Sequence, residues 1–184
     1  MNRLCLDPGH GGSDSGAVGL TGLLESQVAL HVARYVRRGF LDSGWDVFCT
    51  RSSDKFVSLP SRCNIANSNH ADLFLSIHAN AFSNEMAHGY EVWTSVGQTA
   101  ADPIAERIFE SIGAAFPNLA PRYDKTDGDS DKETGFAVLR GTDMAAVLVE
   151  IAFISNPIEE RWLRDVGWKM RMAGSIVSGV DRRI

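Results

Sequence analysis

Four residues carry the chemistry this sequence offers. His10 lies just past a short apolar run, His78 closes another, Glu150 sits inside AVLVEIAF, and Glu25 opens an amphipathic stretch. Two imidazoles and one carboxylate are the protein ligands of hydrolytic zinc sites of the His2Glu kind, which keep a fourth position open for water. The remaining carboxylate is then available as a general base. Each residue also has an ordinary reading. Glu25 can favour a helix N-terminus, His10 can be a turn residue, and His78 can be a strand-end histidine with a backbone partner. Glu150 resists such a reading most, because a carboxylate in an apolar strand is costly to bury unless it is paired or bound to metal. His31, His70 and His88 fall on a helix or beside turns and are not expected as ligands.

The surrounding pattern alternates strand and helix. Apolar runs at Arg3–Leu6, Trp45–Thr50, Leu73–His78, His88–Trp93, Phe136–Leu139 and Ala146–Ile151 read as strands. Leu24, Val28, Val32, Val36 and Phe40 form a helix stripe that stops near Ser43-Gly44. Further helices are expected over Leu59–Asn69, along Ile104, Ile108 and Ile112, and along Trp168, Met172, Ile176 and Val180. The expectation is an α/β fold: a single domain over 1–184, with a mostly parallel twisted sheet of about six strands and helices on both faces. In such a sheet ligands bind at the edge where strands end, and the four residues above fall there.

Composition narrows the partners. The net charge is −5 and the pI about 5.5, which disfavours nucleic acid as a partner. No run approaches 18 apolar residues, so no membrane insertion is expected. The opening MNRLCLDPGH lacks the pattern of an export signal. That fits a protein that acts where it is made, one that something else carries out, or a piece cut from a longer protein. Cys5, Cys49 and Cys63 form no CxxC pair and read as small buried hydrophobes. The glycines from Gly9 to Gly22 form no phosphate loop: a dinucleotide fingerprint from Gly9 would need Gly where Asp14 stands. Their remaining use is close backbone approach to a metal site or an extended substrate. The polar stretch Pro117–Gly135 reads as a solvated loop or the wall of a substrate groove.

Four ordered blocks resemble one family. Asp7-Pro8-Gly9-His10-Gly11-Gly12, followed by Asp14, Gly16 and Ala17, resembles the opening motif of zinc-dependent N-acetylmuramoyl-L-alanine amidases of bacterial autolysins and phage endolysins. Thr50-Arg51 with Leu59, Arg62 and Ala66-Asn67 resembles its middle segment, Ala71–Asn80 its second-histidine block, and Met144–Asn156 its last-strand block. Two positions depart from the family's pattern: Ala145 stands where Pro is common and Ala152 where Gly is common. The resemblance implies zinc ligands at His10, Glu25 and His78 and a catalytic glutamate at Glu150.

It further implies a peptidoglycan hydrolase that cuts the amide between N-acetylmuramic acid and the L-alanine of the stem peptide with zinc-activated water, one zinc per chain. Glu150 would take a proton from the water and give it to the leaving amine. Asn80 is a candidate for orienting substrate. Arg51 and Arg62 are candidates for facing the stem peptide's carboxylates, with internal ion pairs as the plainer alternative. A monomeric phage endolysin, made in the cytoplasm and acting on the cell wall after release, fits, as does the catalytic domain of an exported autolysin; the −5 charge is not expected to give broad attraction to anionic wall polymers. Another zinc peptidase or deacetylase on the same sheet, or a non-catalytic wall-binding module, are the competing classes.

Overall fold

The computed structural model describes residues 2–124 and 130–181. Six strands, β1 (Arg3–Pro8), β2 (Asp46–Cys49), β3 (Leu73–Asn80), β4 (Glu91–Thr94), β5 (Lys132–Glu133) and β6 (Ala145–Phe153), form one sheet in the order β2-β1-β3-β6-β4-β5. The β1–β2, β1–β3, β3–β6 and β4–β5 pairs are parallel, and β4 runs antiparallel to β6. The helices are α1 (Glu25–Asp42), α2 (Leu59–Ser68), α3 (Asp102–Ala115), α4 (Ala137–Arg140), α5 (Pro157–Arg164) and α6 (Val166–Val180).

Strand periodicity divides the core in two. Leu4, Leu6, Leu75, Ile77, Val147 and Val149 point to one face, where the stripes Val28/Val32/Val36 of α1, Ala105/Ile108/Ile112 of α3 and Met172/Ile176 of α6 cover them. Burying one such leucine stabilises by roughly 1.5–3 kcal/mol. Their sequence neighbours Cys5, Phe74, Ala146 and Leu148 point to the other face, where α2 and α4 supply Cys63, Ala66, Val138 and Leu139. This second cover is short: α2 has 10 residues and α4 only 4. The sheet therefore stays open on that face towards the strand ends.

Local signals explain most boundaries. Gly44 takes a φ of 81° just after α1, a left-handed conformation that glycine adopts without strain. The Ser58 hydroxyl caps α2 by accepting from the Ser61 amide, and Pro60 sits in its first turn. The Asn156 side chain caps α5, followed by Pro157. Three sequence expectations change. Phe136–Leu139 is not a strand: Phe136 is the N-cap of α4, and four apolar residues are too few to separate strand from helix. The stretch Pro117–Gly135 is not wholly a loop: Pro121 bridges Tyr90 and β5 pairs with β4, so both described ends are tied to the sheet. Its middle, 125–129, lies outside the described residues. Finally, α5 was not anticipated. None of the described helices is long and apolar enough to cross a membrane.

Candidate metal centre

The open face collects the polar residues. His78 is in β3 and pairs in register with Glu150 of β6, which pairs in turn with Glu91 of β4. His10 follows β1 directly, and Glu25 is the first residue of α1. One ligand atom from each of His10, Glu25 and His78 lies within 4.8 Å of the others. Glu25 Oε1 is 3.2 Å from His10 Nε2 and 2.8 Å from His78 Nδ1, and the two rings meet edge to face with centroids 5.0 Å apart. On the far side of the His10 ring, Nδ1 bonds Asp14 Oδ2 at 2.9 Å. A carboxylate there accepts from Nδ1–H and leaves the Nε2 lone pair free for a metal, the usual support for a metal-ligating histidine.

The backbone is shaped around this triad. His10 has a φ of 59°, a left-handed conformation sparsely used by residues with a side chain and concentrated at functional sites. A Cβ on Gly9 would lie 2.2 Å from the His78 ring. On Gly16, whose φ is 64°, a Cβ would lie 2.6 Å from Glu25 Oε2 and from the His10 ring. Glycine at these two positions is what lets the loop pass behind the triad.

Beside the triad, the Glu150 atom Oε2 is buried and has no hydrogen-bond partner among the described residues. Burial drives the Glu150 carboxyl up to about 8, with Glu25 and Glu91 adding to the rise and His78 and His10 opposing it. Burial also pushes the His10 imidazole down, but Glu25 and then Asp14 more than offset it, holding the group up at about 9. His78 is likewise raised against its burial by Glu25 and Glu150. Burial would lift Glu25, yet the two imidazoles hold it well below the usual carboxylate range. Two histidines, one ionised carboxylate and an orphaned carboxylate oxygen beside them suit a divalent cation with a proton carrier at its side. The triad and Glu150 line a cleft of about 640 Å³, whose lining also includes the exposed side chains of Phe56, Leu59 and Phe136.

Of the two roles considered for Arg51 and Arg62, the structure places both side chains among internal partners rather than facing substrate. Arg51 is 1% exposed and donates to the carbonyls of Pro8, Gly9, Ser26 and Ser53. Arg62 is 3% exposed, pairs with Asp7 at 2.6 Å and donates to the carbonyls of Val57, Pro8 and His10. Both cations are consumed by the loop that carries His10. Asp7 also accepts from Thr50 and Ser76, so a buried polar network backs the first histidine. Asn80 reaches the cleft, accepts from the Ala81 amide and donates to Glu91. Glu91 was missed in the sequence, although HGYEVW shows the same signal that drew attention to Glu150: a carboxylate in an apolar strand. The three cysteines are free; burial pushes the Cys5 and Cys63 thiols up, consistent with packing roles.

Comparison with known proteins gives the family. The N-acetylmuramoyl-L-alanine amidase family (Amidase_3) matches residues 4–182. N-acetylmuramoyl-L-alanine amidase AmiC of Neisseria meningitidis serogroup B is 35% identical, over 98% of this chain and 52% of its own length. LytC of Bacillus subtilis, also named an N-acetylmuramoyl-L-alanine amidase, is 40% identical over 95% of this chain and 34% of its own. The chain thus spans about half or less of these two relatives. The solved amidase AmiC2 of Nostoc punctiforme superposes with a TM-score of 0.88 at 31% identity, covering 97% of this chain and 94% of that one. By sequence and by fold, the chain belongs to the N-acetylmuramoyl-L-alanine amidase family.

Proposed function

We propose that this chain hydrolyses the amide between the lactyl group of N-acetylmuramic acid and the L-alanine of the stem peptide in peptidoglycan. His10, Glu25 and His78 would hold zinc, and Glu150 would carry the proton. The observation that carries the reading is the convergence of three ligand atoms within 4.8 Å beside a buried, unpartnered Glu150 oxygen. Zinc bound there would polarise the scissile carbonyl and acidify water.

The chain's own groups do the rest. The Asp14 carboxylate keeps the His10 Nε2 lone pair aimed at the cation, and Gly9 and Gly16 leave room for the two rings. Glu150 must be ionised to accept a proton from the attacking water. Its burial opposes that, and a cation on the neighbouring triad favours it. A carboxyl group poised near neutrality then returns the proton to the leaving amine, which cannot depart as an anion. An endolysin and an autolysin would share these steps.

The test is a matched pair of variants on purified peptidoglycan. Glu150→Gln should keep zinc and lose turnover; undiminished release of stem peptide would overturn the proton-carrier role. His78→Ala should lose zinc itself, and full metal occupancy there would overturn the ligand assignment. The products must carry a new muramyl carboxylate and a new N-terminal L-alanine, which a deacetylase or a peptidase acting elsewhere would not give.

A further inference from the structure

Arg51 and Arg62 are buried, but two other cations line a second cavity that shares Asn80 with the cleft. His78, Glu150 and Glu91 stand in register on three neighbouring strands, so their side chains form a row on one face at about 4.8 Å per strand. The Glu91 carboxylate closes that row and is 3% exposed. Its Oε1 accepts from Arg122 Nε at 2.7 Å and Lys132 Nζ at 3.1 Å, while Oε2 accepts from Asn80 at 3.0 Å and Trp93 Nε1 at 3.1 Å. Two cations thus share one carboxylate and leave a net positive charge.

The donors are also unevenly used. Arg122 commits Nε to Glu91, lies over the Phe153 ring at 5.1 Å, and makes no Nη hydrogen bond among the described residues. Lys132 lies 4.7 Å from the centroid of the Trp93 ring and, among the described residues, hydrogen-bonds only Glu91. Paired guanidinium N–H groups grip a carboxylate in two-point fashion. Both side chains line a cavity of about 430 Å³, and Asn80 belongs to its wall and to that of the metal-site cleft.

We propose that Arg122 and Lys132 form an anion subsite for a carboxylate of the stem peptide, on the amine side of the bond to be cut. The inference rests on the amidase reading and deepens it. The sugar side of the scissile amide offers no charge, whereas the peptide side carries carboxylates. Two strand spacings, about 10 Å, span about three residues of extended peptide, so the partner lies within the first three residues of the stem. Glu91 is the positioning residue: it pins both cations while leaving the guanidinium Nη groups without a hydrogen bond among the described residues. The described ends of the polar 117–135 stretch thereby supply a specificity wall.

The test uses the zinc-loaded enzyme and synthetic muramyl tripeptides in which each carboxylate is converted to the carboxamide in turn. The unmodified substrate should exceed one of the amidated forms by about tenfold or more in kcat/KM, the usual scale for a charge-assisted contact. In Arg122→Gln/Lys132→Met that preference should fall to within about twofold, with the rate on the amidated form retained. Arg122→Lys, which keeps charge but not the fork, should be intermediate. Equal rates on all forms by the parent enzyme, or an equal loss on all forms in the double variant, would overturn the subsite. Binding of the free tripeptide by calorimetry separates the two layers of the argument. If no substrate is cleaved, the amidase reading fails, and the subsite stands only if the double variant binds the tripeptide at least about tenfold more weakly than the parent.

Discussion

The two faces of the sheet use the same strands for opposite purposes. Leu75 and Ile77 of β3 face three long helices and are sealed. Ser76 and His78, one residue on, face a side whose helical cover, among the described residues, is the short α2 and α4. Along β6, Val149 is core while Glu150 lines the cleft. The difference lies in the cover rather than in the strands: where helices are long, alternate residues become core, and where they are short, the same alternation delivers polar groups to an open edge. Stability should therefore be concentrated on the first face and chemistry on the second.

That division can be broken by paired substitutions. The largest effect is expected from Glu150→Gln on the open face, a fall of about 10²- to 10⁴-fold in kcat with the thermal midpoint nearly unchanged. A midpoint that falls with the rate would mean the open face also carries the fold. Next comes Leu75→Ala on the sealed face, which should cost about 2–5 kcal/mol in urea unfolding. Zinc affinity of its folded fraction should match the parent's, and a weakened metal site would show that the two faces are coupled. Asp14→Asn is smaller, a loss of about 10- to 100-fold in zinc affinity measured by chelator competition, because the support of His10 is weakened and no ligand is removed.

The smallest expected effect concerns the Tyr90 hydroxyl, which burial lifts to about 12 and which donates to the Phe109 carbonyl on the sealed face. The unfolded chain loses this proton near pH 10 and the folded chain only near 12, so stability should decline between those values. Tyr90→Phe should flatten that decline in urea titrations across pH 9 to 11.5. An unchanged slope would remove Tyr90 from the account.

Much of the site was legible because strand periodicity is legible. The alternation in LFLSIH places His78 opposite the leucines, and an acid inside AVLVEI has few inexpensive explanations. Glu25 emerged from its place at a helix start, a weaker signal that the family resemblance strengthened. What the sequence withheld were relations across the fold. Nothing local shows that the donors of Arg51 go to four carbonyls, or that Arg122 and Lys132 meet on Glu91 from opposite ends of one polar stretch. Two-residue β5 has no periodicity to detect. Helix α5 did carry its markers, Asn156 and Pro157 at its start, but its apolar face is narrow.

The reach of Arg51 has a thermodynamic consequence. By joining Pro8, Gly9, Ser26 and Ser53 it fixes the glycine-rich loop and the start of α1 against each other when the chain folds. The ordering cost of the proposed ligand shell would thus be met by folding and not by an arriving ion. Metal uptake should proceed with little change in heat capacity or far-ultraviolet dichroism, as expected of a socket rather than a clasp.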